Sequence, residues 1–419
     1  MFEMPPYPKE PAAPRGAKLT VFLVVFIDLL GFGIVLPLLP RYAKDLLEPL
    51  GAERQLQGFI IGALLSVFSL MQFIFAPIWG RISDRVGRRP ILLLGLAGSV
   101  VFYALFGFAS ALGDNAQLAL ILMFAARTGA GIAGATIATA QAVIADVTPM
   151  AKRAQGMALI GVAFGIGFTF GPLIAGFALW ILPDRPEFAG FFAALLSLIA
   201  LVIGLAKMPE TLTPGETSYR RGWIDFGGMR STLATPSVGL LILVFFLVTF
   251  GFAKFEATLA LLTKEFGYSD RGNFWVFAYV GFVLMLVQGG VYRRLKDRYH
   301  EVTLMRAGVG FMLAGLAIGL GGVALGPAGR EVALFVALAC GVIGFAFLTP
   351  SAQALISKRS DPTRQGEILG VNQSFSALAR ILGPLTGNVL FATSLVLPYA
   401  TSAVLLVLVL GLLTKVRKD

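Results

Sequence analysis

Asp28 is a carboxylate inside an otherwise uncharged apolar run, VFIDLLGFGIVLPLLP, residues 25–40. A lone charge at that depth in hydrocarbon costs roughly 2.5–3.5 kcal/mol on insertion scales. Four more ionisable groups sit comparably deep in apolar runs: Arg127, Lys254, Glu256 and Arg380. Asp28 and Arg127 each lie about ten residues into their runs, from opposite ends, and at 1.5 Å per residue both reach mid-membrane. An arginine favours the charged form of a nearby carboxylate, and burial favours the neutral form. Together these opposed effects make a group that loads and releases a proton as water access changes. The same two residues also suit a static ion pair locking two helices, and a buried pair is weak evidence for stability alone. Both readings stand at this stage.

Glu256 and Lys254 are two positions apart, so their side chains point about 200° apart on one helix. Glu256 is expected to face a central path, as a second proton carrier, a cation site or an outer gate. Lys254 either shares that path or runs its stem out to the membrane surface. Asn372, Ser376 and Arg380 follow at i, i+4 and i+8 and share a helix face, with Gln373 beside them. Gln141 and Gln353 occupy matching places in the two halves of the chain. All six are candidate solute contacts, the alternative being hydrogen bonds between helices. Three deep cations against two deep acids leave a small positive excess, which favours an anionic or zwitterionic solute.

The elements that must carry these groups are helices. Hydrophobic residues make up 57% of the 419 residues and charged ones 14%, against about 25% charge in soluble domains. Spans need about 20 apolar residues. Twelve runs qualify, at about 18–40, 57–79, 90–110, 117–146, 155–180, 188–208, 237–262, 273–292, 302–325, 331–356, 365–392 and 394–414. The expectation is an all-α membrane protein of two six-helix bundles, with a flexible tail (1–17), an N-terminal bundle (18–208), a linker (209–236) and a C-terminal bundle (237–419).

Net charge is +11, and the basic residues fall unevenly. With the N-terminus inside, 24 of the 34 Lys and Arg occupy cytoplasmic segments and seven occupy the opposite loops. That asymmetry places both termini in the cytoplasm and explains the positive charge without nucleic acid. One Cys and one His make a metal site or disulfide chemistry unexpected, so no cofactor and no metal is anticipated. Nucleotide-binding loops and HExxH are absent, which argues against an enzyme.

The halves repeat. WGRISDR (79–85) aligns with YRRLKDR (292–298) at an offset of 213, and Gln141 with Gln353 at 212. GPLIAG (171–176) aligns with GPLTG (383–387), also at 212. Duplicated six-helix halves around a central path describe a transporter.

The dense pattern Gly80, Asp84, Arg85, Gly87, Arg88 and Arg89 joins the second and third runs, with a degraded partner at Asp297 and Arg298. Asp84 is expected to accept hydrogen bonds from a helix N-terminus, and the arginines to reach acids or lipid phosphates. This loop resembles the signature of the major facilitator superfamily. RTGAGIAGATIATAQAVIADVTP from Arg127 resembles that family's fourth helix, and GVAFGIGFTFGPLIAG from Gly161 resembles its fifth-helix antiporter motif. Gly167, Gly171, Pro172 and Gly176 carry the latter, with Ala175 departing from the usual glycine. Asp28 to Pro40 is similar to the first helix of tetracycline/proton antiporters, a stretch much of which tetracycline-transporter-like organic-anion carriers share.

The resemblance implies a twelve-helix secondary transporter exchanging protons for an amphiphilic small molecule by rocking of its halves. Its expected partners are that solute, protons and membrane lipids. It is expected to be monomeric and to lie in a bacterial cytoplasmic membrane. An organic-anion or lipid-like carrier without proton exchange, and a non-transporting membrane sensor or scaffold, are the alternatives.

Overall fold

The computed structural model describes residues 17–112, 115–148, 163, 166–167, 169–177, 180–182, 185, 187–212, 226–322, 325–360 and 365–416. Among these, the side chains of 17–20, Val24, Asp28, Leu29, Phe32, Ala138, Ala145, Phe226, Gly228, Pro236 and 365–367 are not described. The regular elements are α1 (Ala17–Val35), α2 (Leu39–Leu47), α3 (Arg54–Val86), α4 (Arg88–Ala111), α5 (Ala116–Ala133), α6 (Ile137–Asp146), α7 (169–177) and α8 (Glu187–Lys207). They continue as α9 (Phe226–Ala234), α10 (Pro236–Glu265), α11 (Asp270–Leu286), α12 (Arg293–Leu295), α13 (Glu301–Gly322), α14 (Pro327–Arg359), α15 (Gln365–Thr393) and α16 (Leu397–Thr414). Ten helices among the described residues are long and apolar enough to cross a membrane. α1 and α7 stand where the first and fifth apolar runs fall. Helices must span because lipid offers backbone groups no partners.

The chain passes back and forth between two faces, here called terminal (where α1 begins and α16 ends) and distal. The first apolar run is shorter than its composition indicates. Pro37 and Pro40 cannot continue the helical hydrogen bonding, so α1 stops at Val35 and α2 starts at Leu39, with Pro40 in its first turn. α2 carries charges but is buried through Leu39, Tyr42, Ala43 and Leu47.

The fourth run also breaks, at a 3₁₀ turn over Gly134–Thr136. Its freed carbonyls take side-chain donors from α3: Trp79 Nε1 donates to Ile132 O at 2.8 Å and Gln72 Nε2 to Gly134 O at 3.2 Å. Trp79 is thus a helix-to-helix donor as well as a residue near a helix end. Trp180 and Trp275 are exposed near helix ends, as interface anchors are.

Close helix approach is set by glycine. Gly308 and Gly344 abut at the α13–α14 crossing, and Gly58 and Gly62 of α3 meet the backbone of α15 at Asn388 and Leu385. Small residues at such crossings let backbones touch where dispersion does the work that the hydrophobic effect does in water.

Candidate functional site

Arg127 is 2% exposed, in the interior of α5. Its guanidinium carbon lies 4.4 Å from the centre of the Phe68 ring of α3, an attractive cation–aromatic arrangement. It also feels the hydroxyl of Tyr103, a buried residue of α4. Tyr103 in turn packs on Gly31, where a Cβ would stand 2.8 Å from its ring. α1 is therefore tied to the Arg127 environment one turn beyond Asp28. The proposed meeting of Asp28 and Arg127 itself falls on a side chain outside the described residues.

In the second set of helices Glu256 of α10 faces the charge of Arg380 on α15, with no direct ion pair between them. Glu256 is partly buried and Arg380 exposed. Lys254 is 2% exposed, so it does not run to the membrane surface. Its ammonium donates to Thr401 Oγ1 at 3.1 Å and sits 4.8 Å from the Phe250 ring centre. Its backbone packs against Gly383 and Gly387 of α15, where a Cβ would stand 3.2 Å from Lys254 backbone atoms. Lys254 makes no ion pair among the described residues.

The polar stripe on α15 divides. Asn372 and Ser376 are buried; Gln373 and Arg380 are exposed, as are Gln141 and Gln353. The structure thus keeps Arg380 and the three glutamines accessible and withdraws the other two.

Across the distal side the two sets of helices are pinned together. Arg41, 2% exposed, donates to Asp270 at 2.6 Å and to the Tyr268 carbonyl. Lys44 pairs with Glu265 at 2.8 Å, and Lys264 with Asp45. Asn273 Nδ2 donates to Pro37 O at 3.0 Å, taking a carbonyl at the α1–α2 turn. Tyr268 donates to Glu331 at 3.2 Å; burial and that carboxylate push its hydroxyl up to about 12, so it remains a donor at neutral pH.

Nearer mid-membrane, Ser66 donates to Ile381 O at 2.6 Å and Thr169 to Gly281 O at 3.0 Å. α7 is the wedge in this seam. A Cβ on Gly171 would lie 2.7 Å from Gly33 Cα on one side, while one on Gly176 would touch Phe274 of α11 at 3.0 Å on the other. Gly167 contributes a carbonyl 2.9 Å from the Cβ position of Gly33, and Pro172 packs beside it. The described part of the antiporter-like stretch, Gly167 to Gly176, therefore touches both α1 and α11.

On the terminal face, Arg88 joins three partners: Asp84, Ser83 at 2.7 Å and Asp146 at 3.3 Å. Asp84 does not cap the N-terminus of α4. That role falls to Glu210, which accepts from Arg88 N at 2.9 Å and Arg89 N at 3.2 Å. Burial pushes the Glu210 carboxyl up, but backbone donors from Leu212, Arg88, Arg89 and Thr211 outweigh it and hold it below its usual value. Gly87 has φ +112°, which favours glycine, and a Cβ there would also displace the Glu210 carboxylate, 2.3 Å away. Gly80 has open space around it, and Arg85 is exposed. Asp297 and Arg298 lie in the turn before α13 without the pairing of their counterparts; the only histidine, His300, caps that helix by accepting from Val302 N at 3.2 Å.

Sequence reasoning missed Glu210, Tyr103 and Thr401 as partners, and read Arg41, Lys44 and Lys264 only as loop charges. Partners 219–229 positions away leave no local pattern.

A helical bundle with charged groups at membrane depth, pinned on one side by paired halves, is the architecture of a secondary transporter. The Major Facilitator Superfamily model matches residues 21–384. The chain is 31% identical over 382 residues to the class E tetracycline resistance protein of Escherichia coli, covering 89% of this chain and 87% of that one. It is 29% identical over 426 residues to major facilitator superfamily domain-containing protein 10 of Bos taurus, covering 91% and 88%. The crystal structure of the human organic anion transporter MFSD10 (TETRAN) superposes with TM-score 0.69 at 27% identity, over 97% of this chain and 100% of that one. The D-xylose-proton symporter gives TM-score 0.79 at 16% identity over 96% and 97%, a likeness of fold. This chain belongs to the Major Facilitator Superfamily. It is an integral membrane transporter of the twelve-helix fold, and not an enzyme.

Proposed function

We propose that the protein is a proton-coupled antiporter that carries an amphiphilic small molecule out of a bacterial cytoplasm. The observation that carries this reading is Glu256 of α10, partly buried, facing the charge of Arg380 on α15. An acid and a base held there without direct pairing gain little as structural cement. They do give a solute and a proton a common point of competition.

The proposed cycle treats residues 18–208 and 237–414 as bodies that rock, with both termini in the cytoplasm on the positive-inside assignment. The described state has its distal seam closed, so it corresponds to the stage that loads from inside. Solute enters among Gln141, Gln353, Gln373 and Arg380, and displaces a proton from Glu256, Asp28 or both. Arg127 adjusts the acidity of Asp28. The Arg41–Asp270, Lys44–Glu265 and Lys264–Asp45 pairs then open, and a proton arriving from outside drives release. Coupling needs only that proton and solute prefer opposite charge states of one site. The named activity of the tetracycline resistance relatives fits an amphiphilic efflux substrate.

A second reading has a specific observation behind it. Arg127 and Lys254 are buried cations and Arg380 adds an accessible one on α15, and a relative of known structure is named an organic anion transporter. On that reading the solute is an organic anion moved without proton exchange. Purified protein in sealed vesicles separates the two. Tetracycline and a panel of organic anions are followed with a proton gradient imposed, absent and reversed. Antiport requires solute flux to reverse with the gradient; flux indifferent to it leaves the uncoupled carrier.

A further inference from the structure

A cleft lined by none of the candidate solute-contact side chains lies between α10, α13, α14 and α16. Its walls are apolar, with Phe252 and Phe255 on one side and Leu316, Leu334 and Leu338 on the other. Glycines of two kinds meet there. Gly315 and Gly322 are packing glycines, with Ala337 O and Ala333 Cβ at 2.6 and 2.5 Å from their Cβ positions. Gly251, Gly319 and Gly341 are not: a Cβ would meet nothing within 3.4 Å at the first two and nothing within 4 Å at the third. Close helix approach does not require glycine at these three places. What their missing side chains provide is open space.

The wall polar groups are already engaged. Ser402 donates to Pro398 O at 2.8 Å, and Thr258 donates to the Tyr399 hydroxyl at 3.1 Å. The exception is at the distal mouth. Arg330 lies 5.2 Å over the Phe266 ring and, among the described residues, makes one marginal bond to Leu325 O at 3.5 Å and has a buried Nε with no partner. The adjacent acid, Glu331, is taken by Tyr268. From Gly322 near the mouth down to Met312, the helix rise gives a depth of about 15 Å, half of the ~30 Å hydrocarbon core.

We infer that this cleft holds one acyl chain of a phospholipid from the distal leaflet, with the lipid phosphate bound by Arg330. An apolar slot one leaflet deep, with a guanidinium at its mouth that keeps donors to spare and pairs with no acid among the described residues, matches that occupant in shape and charge. A guanidinium suits phosphate because its forked donors can engage two oxygens at once.

The test uses the full chain in vesicles containing phosphatidylglycerol with a photoreactive group near the end of one acyl chain. Labelled peptides are mapped by mass spectrometry. The expected result is labelling concentrated between residues 312 and 341, above that at exposed positions of α8 such as Val202 and Leu205. Filling the cleft with Gly341→Leu should remove it, with Gly251→Leu as a second filling variant. Arg330→Gln should lower it about tenfold, the loss expected for one charged contact, and Arg330→Lys should retain most of it. A photoreactive long-chain alcohol lacking phosphate should be insensitive to Arg330→Gln. Labelling spread evenly over the lipid-facing surface, or unchanged by both filling variants, would overturn the inference. So would displacement by tetracycline, which would assign the cleft to a transported solute.

Discussion

Gly33 and Gly171 meet backbone to backbone, so close that a Cβ on Gly171 would stand 2.7 Å from Gly33 Cα. The contact binds α1, which carries Asp28, to the helix that also touches α11 through Thr169 and Gly176. Any change at this point is felt at once by the helix bearing the deep carboxylate and by the seam between the halves.

Gly171→Val is therefore expected to force α1 and α7 apart. Overpacking of this kind costs about 1–3 kcal/mol. The melting temperature in detergent should fall and transport in vesicles should be lost, whereas Gly80→Ala, made where open space surrounds the glycine, should change neither. Equal behaviour of the two variants would remove the packing argument.

The distal pairs should act as a latch. Removing a cation that is buried leaves its partner acid without compensation, though Asp270 keeps contact with water. Arg41→Gln should shift the balance toward the outward-open form by about 1–2 kcal/mol, a factor of roughly 5–30 in population. Distances between spin labels on α2 and α11 report this directly. The charge swap Arg41→Asp with Asp270→Arg should restore part of the closed population. Unchanged distances in Arg41→Gln would show that the closed seam rests on its apolar and glycine contacts.

Glu210 should behave as a terminal-face clasp with a defined pH signature. Its carboxyl is held below its usual value in the fold, so its contribution is present above the ordinary carboxylate range and is lost as pH falls through the lowered value. Glu210→Gln should cost about 1 kcal/mol at neutral pH, in the range of a lost helix cap. The gap between wild type and variant should narrow on acidification. A gap that stays constant with pH would contradict this assignment.

Lys254 sits where a lysine is least expected, buried and held by a threonine and an aromatic ring. Replacing a buried charge by an apolar side chain of similar size is often neutral or stabilising. Lys254→Met should thus leave the melting temperature unchanged or raise it, while weakening uptake of anionic solutes relative to cationic ones. A large fall in melting temperature with charge preference intact would make the ammonium a structural element only.

Much of the architecture was legible in residue types and spacing, because lipid imposes long helices and basic loops choose a side. The deep groups Arg127, Glu256 and Arg380 stand out for the same reason: hydrocarbon makes charge conspicuous. Pairings over long separations were not legible. Arg41 and Asp270 each read as loop charges, since their meeting depends on two bundles leaning together. Lys254 left two outcomes open, and its partners in the fold, Thr401 of α16 and the Phe250 ring, go with burial. Asp84 is expected from sequence to accept from a helix N-terminus but pairs with the Arg88 side chain, and the N-terminus of α4 is met by Glu210, 122 residues from Arg88.

Competition between proton and solute for one site is the central claim, and proton release tests it without a membrane gradient. Purified protein in weakly buffered detergent solution is mixed with tetracycline, and with organic anions, while a pH indicator records protons set free. Wild type should release protons in step with solute binding, and Asp28→Asn or Glu256→Gln should diminish that release while solute still binds. Saturable binding with no proton released at any pH, in a protein that transports the same compound in vesicles, would contradict the account.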